Sequence, residues 1–239
     1  MTEWYEHWFG ETYLDLYPHR DDADAERIVA LLHGRGWVAA GDLVLDLACG
    51  AGRHLAALAS RGARVVGFDL SLPLLRAAQR RTHGGLVRGD MRALSFRSGS
   101  FDLVANLFTS FGYFERDDDH RAVLAEVARV LRPGGRFVLD FLNATAVRRG
   151  LVRRDSRQVG GRRVVQERRL SDDGRFVVKT IALEGEGRHF MERVRLFERA
   201  DLERMLLEAG LPVHGVFGDY DGGPHDDDAP RILLVAGSA

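Results

Sequence analysis

A doubly wound, Rossmann-like α/β fold is what this sequence predicts, and three observations carry the prediction. Between Asp42 and Phe141, short apolar runs alternate with segments of helical periodicity. That is the pattern of a mostly parallel sheet covered on both faces. The runs at 44–47 and 65–68 are joined by the small-residue turn Ala48-Cys49-Gly50-Ala51-Gly52 and a helical stretch, and the second closes on Asp69. Beyond Leu142 the chain turns to strand-like segments of Val, Ile and Phe with alternating charge, which predicts an antiparallel β insertion after strand 5.

In chain order, residues 1–20 carry Trp4, Tyr5, Trp8, Phe9, Tyr13, Leu16 and Tyr17 at the spacing of one helix face or two short helices. These aromatics pack on the domain, form a lid over a ligand, or both. Ala25, Ile28, Val29, Leu31 and Leu32 predict a helix over 23–34. Strands follow near 43–48, 64–69, 85–89, 101–107 and 136–142, with helices near 51–61, 71–82 and 118–132. Asp117-Asp118-Asp119 offer N-caps to the last of these, and Arg132-Pro133-Gly134-Gly135 end it. In the insertion, 163–170, 175–183 and 188–197 read as strands turned into hairpins at 171–174 and 184–187. A helix through Leu202, Met205 and Leu206 then closes with Gly210 at C′, and strands near 212–220 and 231–236 finish the chain. The expected organisation is a single domain over 1–239: a helical cap at 1–40, a cofactor-binding core at 41–142, a β lid at 150–197, and a terminal helix and two strands at 198–239.

With 239 residues, 45% hydrophobic and 29% charged, the chain can bury a full core as one elaborated domain. A net charge of -1 gives no whole-molecule case for nucleic acid or a membrane surface. Cys49 is the one cysteine, so no internal disulfide framework is possible and a reducing compartment is expected. Glu3, Glu6 and Glu11 stand where a secretory leader would be basic, and no stretch approaches the roughly 20 apolar residues of a membrane span. A cytoplasmic location is expected.

Several residues carry candidate chemistry. Gly50 and Gly52 let a backbone approach a ligand and open the next helix, while Leu55 stands where a dinucleotide fingerprint needs a third glycine. Asp69 ends the second strand and Asp90 follows the third. A carboxylate there can accept two ribose hydroxyls, and one beside an adenine can accept its amine; each can also simply cap a turn. Met91 offers an apolar face to a ring. The stretch 106–114 (Asn106, Leu107, Phe108, Thr109, Ser110, Phe111, Gly112, Tyr113, Phe114) lies past a strand tip, where α/β folds place ligands. Thr109, Ser110 and Tyr113 are its acceptor-pocket candidates, joined by Tyr13 and Tyr17 of the N-terminal segment; as a general base, His54 reads more readily as a structural helix-face histidine, and His19 and Tyr17 are weaker still. The acidic run Asp226-Asp227-Asp228 after His225 fits no defined ligand set, and no metal is expected.

Asp46-Leu47-Ala48-Cys49-Gly50-Ala51-Gly52, Gly67-Phe68-Asp69, Gly89-Asp90-Met91, Phe101-Asp102-Leu103-Val104 and Leu131-Arg132-Pro133-Gly134-Gly135 resemble the ordered motifs of class I S-adenosylmethionine-dependent methyltransferases, of a small-molecule type. The resemblance implies a seven-stranded sheet whose last strand is antiparallel, S-adenosylmethionine as cofactor and S-adenosylhomocysteine as product. It implies Gly50 and Gly52 beside the amino-acid portion, Asp69 on the ribose, Asp90 and Met91 flanking the adenine, and Asn106 and Leu107 lining the site. Asp46, Ala48, Leu70 and Arg53 complete the cofactor set. Ala48 replaces a glycine common in the family's loop, and Arg53 either pairs with the cofactor carboxylate or is a solvated first-turn residue.

Methyl transfer from a sulfonium needs alignment and exclusion of water more than acid–base help, so no catalytic residue is assigned. The expected partner is a small-molecule methyl acceptor, with the protein a monomer or homodimer. Nine arginines at 148–169 (Arg148, Arg149, Arg153, Arg154, Arg157, Arg162, Arg163, Arg168, Arg169) leave open an RNA methyltransferase using that segment, although a solvated β-layer is the plainer reading. A non-catalytic module that binds the cofactor or its product is the other alternative.

Overall fold

The computed structural model describes residues 3–17 and 22–237, so His19 lies outside the described residues. Two short helices, α1 (Trp4–Trp8) and α2 (Glu11–Leu16), precede α3 (Asp22–Gly34). The alternating core then runs β1 (Leu43–Leu47), α4 (Arg53–Ser60), β2 (Arg64–Asp69), α5 (Leu72–Ala78), β3 (Gly85–Arg88), β4 (Phe101–Asn106), α6 (Asp117–Val130) and β5 (Leu131–Leu142). After α7 (Ala144–Arg149) come β6 (Arg154–Val159), β7 (Arg162–Leu170), β8 (Phe176–Leu183) and β9 (Arg188–Arg195), and then α8 (Arg199–Glu208), β10 (Val213–Phe217) and β11 (Arg231–Gly237).

The main sheet has seven strands in the order β10-β11-β5-β4-β1-β2-β3. Strands β1 to β5 pair in parallel, and β11 runs antiparallel to both β5 and β10, as expected. The order reverses at β1, leaving a crevice beyond its carboxyl end.

Strand periodicity explains the layers. Val44, Leu103, Val138, Leu233 and Val235 point to one face and pack with Ile28, Val29, Leu32, Leu55 and Leu58 of α3 and α4. Their neighbours Leu45, Val104, Phe137, Leu139 and Leu234 point to the other and pack with Val123, Val127, Leu202 and Leu206 of α6 and α8. Both faces are thus buried, which is why these strands read as nearly continuous apolar runs.

The second sheet is a four-stranded meander, β6-β7-β8-β9. Its hairpins turn where the sequence indicated, but β6 is a strand that three-segment reading omits, and α7 is a further helix. A third core forms here: Trp8, Tyr13 and Leu16 pack on Val164, Ile181 and Leu183, with Leu74 of α5. The N-terminal aromatics are therefore held between the second sheet and the main fold. Asp117, Asp118 and Asp119 are not N-caps. The cap residue is Arg116, with no side-chain cap, and the aspartates occupy the first turn of α6, where they favour the helix dipole instead. Asp117 there takes Arg175 and Arg195 of the second sheet at 3.2 Å each.

Candidate functional site

A cleft of about 900 Å³ opens at the carboxyl ends of β1, β2 and β4, roofed by α1 and α2. Its floor is the turn after β1. Ala48 (φ +61°), Gly50 (+54°) and Gly52 (+81°) are all left-handed there, which alanine adopts at a cost of about 1–2 kcal/mol. Gly52 faces away from the cleft: a Cβ on it would sit 2.9 Å from that of Ala78, so its smallness serves the packing of α4 on α5 rather than a ligand.

Asp69 lines the cleft. Its Oδ2 accepts the Gly50 N–H and its Oδ1 the Ser71 N–H, each at 2.8 Å. Burial pushes its carboxyl above the ordinary value against those two donors. Asp90 lines the same cleft, with Oδ1 accepting the Arg92 N–H at 2.9 Å and Oδ2 taking Arg92 Nη2 at 2.6 Å. Burial opposes its ionisation, but the Arg92 hydrogen bonds outweigh burial and hold it below the usual carboxylate range. Turn-capping and lining the cleft, posed as alternatives for these two residues, therefore hold together. Each carboxylate organises its own loop, and Asp90 also takes Arg92 Nε at 3.1 Å on both oxygens.

Ala48, Gly50, Arg53, Leu70, Met91 and Leu107 also line the cleft, as do Tyr13, Tyr17, Ser110 and Tyr113. Ser110 Oγ donates to the Leu107 carbonyl at 3.0 Å. His54 lines it too, 6% exposed. Three residues expected to bind the cofactor, Gly52 among them, are not on this wall. Asp46, 1% exposed, lies behind the turn. Burial first, then the nearby Asp69 charge, pushes its carboxyl up to about 7 against the pull of Arg53, and its Oδ2 has no hydrogen-bond partner. Asn106, equally buried, donates Nδ2 to the Leu47 carbonyl at 3.0 Å and ties β4 to β1. Thr109 faces a different cavity.

That second cavity, about 500 Å³, lies between the 106–113 loop and the inner face of the second sheet. Val177, Lys179, Glu192 and Arg168 line one side and Thr109 and Arg231 the other. Lys179 Nζ, from the one lysine of the chain, lies 3.1 Å from Glu192 Oε2 and 2.6 Å from the Tyr17 hydroxyl. Phe9, Phe108 and Tyr113 border both cavities, so the two are separated by an aromatic wall. Phe108 (φ +58°) and Thr109 (+63°) are left-handed in succession, a conformation that costs bulky and β-branched residues about 1–3 kcal/mol each unless neighbours enforce it.

Sequence reasoning passed over Asp140, Arg231, Tyr220 and Ser71. Asp140 was detectable as a lone carboxylate inside the apolar run of a central strand; its partners are 80 and 91 positions away. Six of the nine arginines of the arginine-rich segment pair with acids. Arg162 pairs with Glu186, Arg163 with Glu184, Arg154 with Glu167, Arg168 with Asp155, Arg148 with Glu198 and Arg149 with Asp227. Arg157 donates to the Leu16 carbonyl and Arg169 to that of Leu170. Among the described residues no cluster of His, Cys, Asp and Glu has a metal-binding arrangement. No helix there is long and apolar enough to cross a membrane.

The methyltransferase domain family model matches residues 44–135. A cypemycin N-terminal methyltransferase from Streptomyces sp is 32% identical, covering 82% of this chain and 82% of that protein. A dTDP-3-amino-3,4,6-trideoxy-alpha-D-glucopyranose N,N-dimethyltransferase from Streptomyces venezuelae is 35% identical, over 84% of this chain and 87% of its own. Among solved structures, the SAM-bound amino pentose methyltransferase CalS10 from Micromonospora echinaspora covers 96% of this chain and 97% of its own at 27% identity, with a TM-score of 0.68.

Proposed function

The chain belongs to the class I S-adenosylmethionine-dependent methyltransferases, and on that premise we propose that the larger cleft holds the donor and that the acceptor, a small amine, approaches from the second cavity. The observation that carries the donor assignment is Asp69, fixed at the tip of β2 by two backbone N–H groups on the wall of a cleft floored by a left-handed turn. Asp69 then accepts the ribose hydroxyls, Asp90 and Met91 flank the adenine, and the backbone at 48–50 lies along the amino-acid end, with Leu70 and Arg53 at the sides. The fit is chemical as well as spatial: carboxylates meet hydroxyl and amine donors, and the apolar Met91, Leu70 and Phe68 border the same cleft.

When bound, S-adenosylmethionine supplies an electrophilic methyl on a sulfonium leaving group. The protein's task is alignment and dryness. The aromatic wall of Phe9, Phe108 and Tyr113 stands between the two cavities. Helices α1 and α2, cemented to the second sheet by Trp8, Tyr13 and Leu16, keep water from both. Nitrogen as the methylated atom is supported by the two curated relatives, whose names describe N-methylation. The cytoplasm is the proposed location.

Calorimetric titration tests the donor assignment: S-adenosylmethionine binds and NAD does not. Absence of heat with S-adenosylmethionine overturns it. Incubation with labelled donor and a panel of primary and secondary amines, read by mass spectrometry, tests the acceptor class; label only in oxygen or carbon acceptors rejects an amine.

A further inference from the structure

Asp140 is fully buried in the middle of the main sheet and touches neither cavity, yet four groups converge on it. Its Oδ2 accepts the Phe108 N–H and the Tyr220 hydroxyl, each at 2.7 Å. Its Oδ1 accepts Arg231 Nε at 2.8 Å. Its backbone carbonyl accepts the Thr109 N–H at 3.0 Å. Arg231 Nη2 then donates to Thr109 Oγ1 at 2.8 Å, and its guanidinium lies 5.5 Å from the centre of the Phe108 ring. The Arg53 guanidinium, which lines the larger cleft, lies 4.1 Å from the same ring. The Phe108 N–H and the Thr109 hydroxyl are thus held by one carboxylate and its arginine, and the Thr109 N–H by the backbone of the same residue.

We infer that Asp140, with Arg231 and Tyr220, is a positioning residue that holds the Phe108–Thr109 turn in its left-handed form and so sets Phe108 as the partition between donor cleft and second cavity. The reasoning is geometric. Neither Phe nor Thr prefers the left-handed region, so the turn persists only where the surroundings over-determine it. Asp140 does this from below the cavities, using charge-assisted hydrogen bonds in a dry interior, where they are strong and directional. Without them the turn relaxes toward extended backbone, and the Phe108 ring leaves Arg53 and the donor cleft wall. This inference rests on the donor assignment proposed above.

The test uses S-adenosylhomocysteine binding by calorimetry, with circular dichroism confirming a folded protein. Asp140→Asn, nearly isosteric, should weaken binding at least tenfold. Adding Thr109→Gly to that variant should recover at least threefold, because glycine enters the left-handed region freely. A purely structural ion pair would show no such recovery. Should Asp140→Asn fail to fold, Tyr220→Phe removes a single donor and should weaken binding two- to fivefold. Wild-type affinity in Asp140→Asn, or in Tyr220→Phe where only that variant folds, overturns the inference, as does a glycine double variant no better than the single. Wild-type protein that does not bind S-adenosylhomocysteine at all removes the donor assignment itself, and the inference with it.

Discussion

The strand tips of the main sheet and the outer layer of the second sheet are both rich in charge, but they spend it differently. In and above the main sheet, carboxylates bond to backbone N–H groups: Asp69 to those of Gly50 and Ser71, Asp90 to that of Arg92 and Asp140 to that of Phe108, the last two adding an arginine side chain. These bonds fix loop shape around a cleft. On the second sheet, charges bond to one another, as in Arg162–Glu186 and Arg163–Glu184, and most of these side chains stay about half exposed. Such pairs contribute roughly 0–1 kcal/mol each. Formal charge thus says little about where function lies; the partner of the charge says more.

If the second sheet is held to the fold by apolar packing rather than by ion pairs, Trp8→Ala is its most damaging change. Trp8 is 1% exposed and also donates to Glu192 at 2.8 Å. Deleting the ring should cost about 3–5 kcal/mol in urea unfolding, with little dependence on salt. A mild effect, with strong destabilisation of wild type by salt, would reverse the comparison.

Asp46 tests the other side, a carboxyl behind the strand tips with an orphan oxygen. Its folded-state value of about 7 stands above the unfolded 3.8 because of burial and the Asp69 charge. The native state therefore holds the proton more tightly. The stability this brings is fully present below about pH 4 and is lost as pH rises through about 7. Asp46→Asn keeps the shape without the titration, so wild type should lose on the order of a few kcal/mol relative to the variant across that window. His120, whose value burial lowers to about 4, acts in the opposite sense between about 4 and 6.5, but is common to both proteins and cancels. Parallel stability curves would show that Asp46 does not titrate there.

Asp69→Ala removes charge-assisted hydrogen bonds to the proposed ribose. Affinity for S-adenosylmethionine should fall ten- to a hundredfold by calorimetry, corresponding to about 1.4–2.8 kcal/mol. Unchanged affinity in a folded variant would mean that the carboxylate serves only the loop.

What was legible in the sequence follows the same division. The main sheet was readable because each strand is an apolar run, and Asp69 and Asp90 because they close or follow such runs. Strand β6 was not, since Arg-Asp-Ser-Arg-Gln-Val offers one apolar side chain and buries none. It is an edge strand that β7 holds through backbone pairing. Thr109 and Ser110 were read together as acceptor-pocket candidates, but Thr109 faces the second cavity and Ser110 the larger cleft, because two left-handed residues redirect the chain in a way no local pattern announces. Asp140 needs Tyr220 and Arg231 to explain it, and their contact exists only once β11 lies against β5.

The smallest expected effect bears on the arginine segment. Arg162 and Arg163 sit at the open end of the second sheet, with side chains 46% and 53% exposed. Changing both to Gln breaks two ion pairs with Glu186 and Glu184. Each pair is already weakened by solvent, so the combined loss should stay under about 1 kcal/mol in urea unfolding. The same variant examines RNA binding. A phosphate-binding face needs arginines whose charge is available, and here nearby acids compete for it. Wild type should therefore show no salt-dependent retention of RNA even at low ionic strength, and the double variant should behave identically. Retention that falls steeply with salt and weakens in the variant would mean that these arginines exchange their glutamates for phosphates, and would turn the outer sheet from scaffold into binding surface.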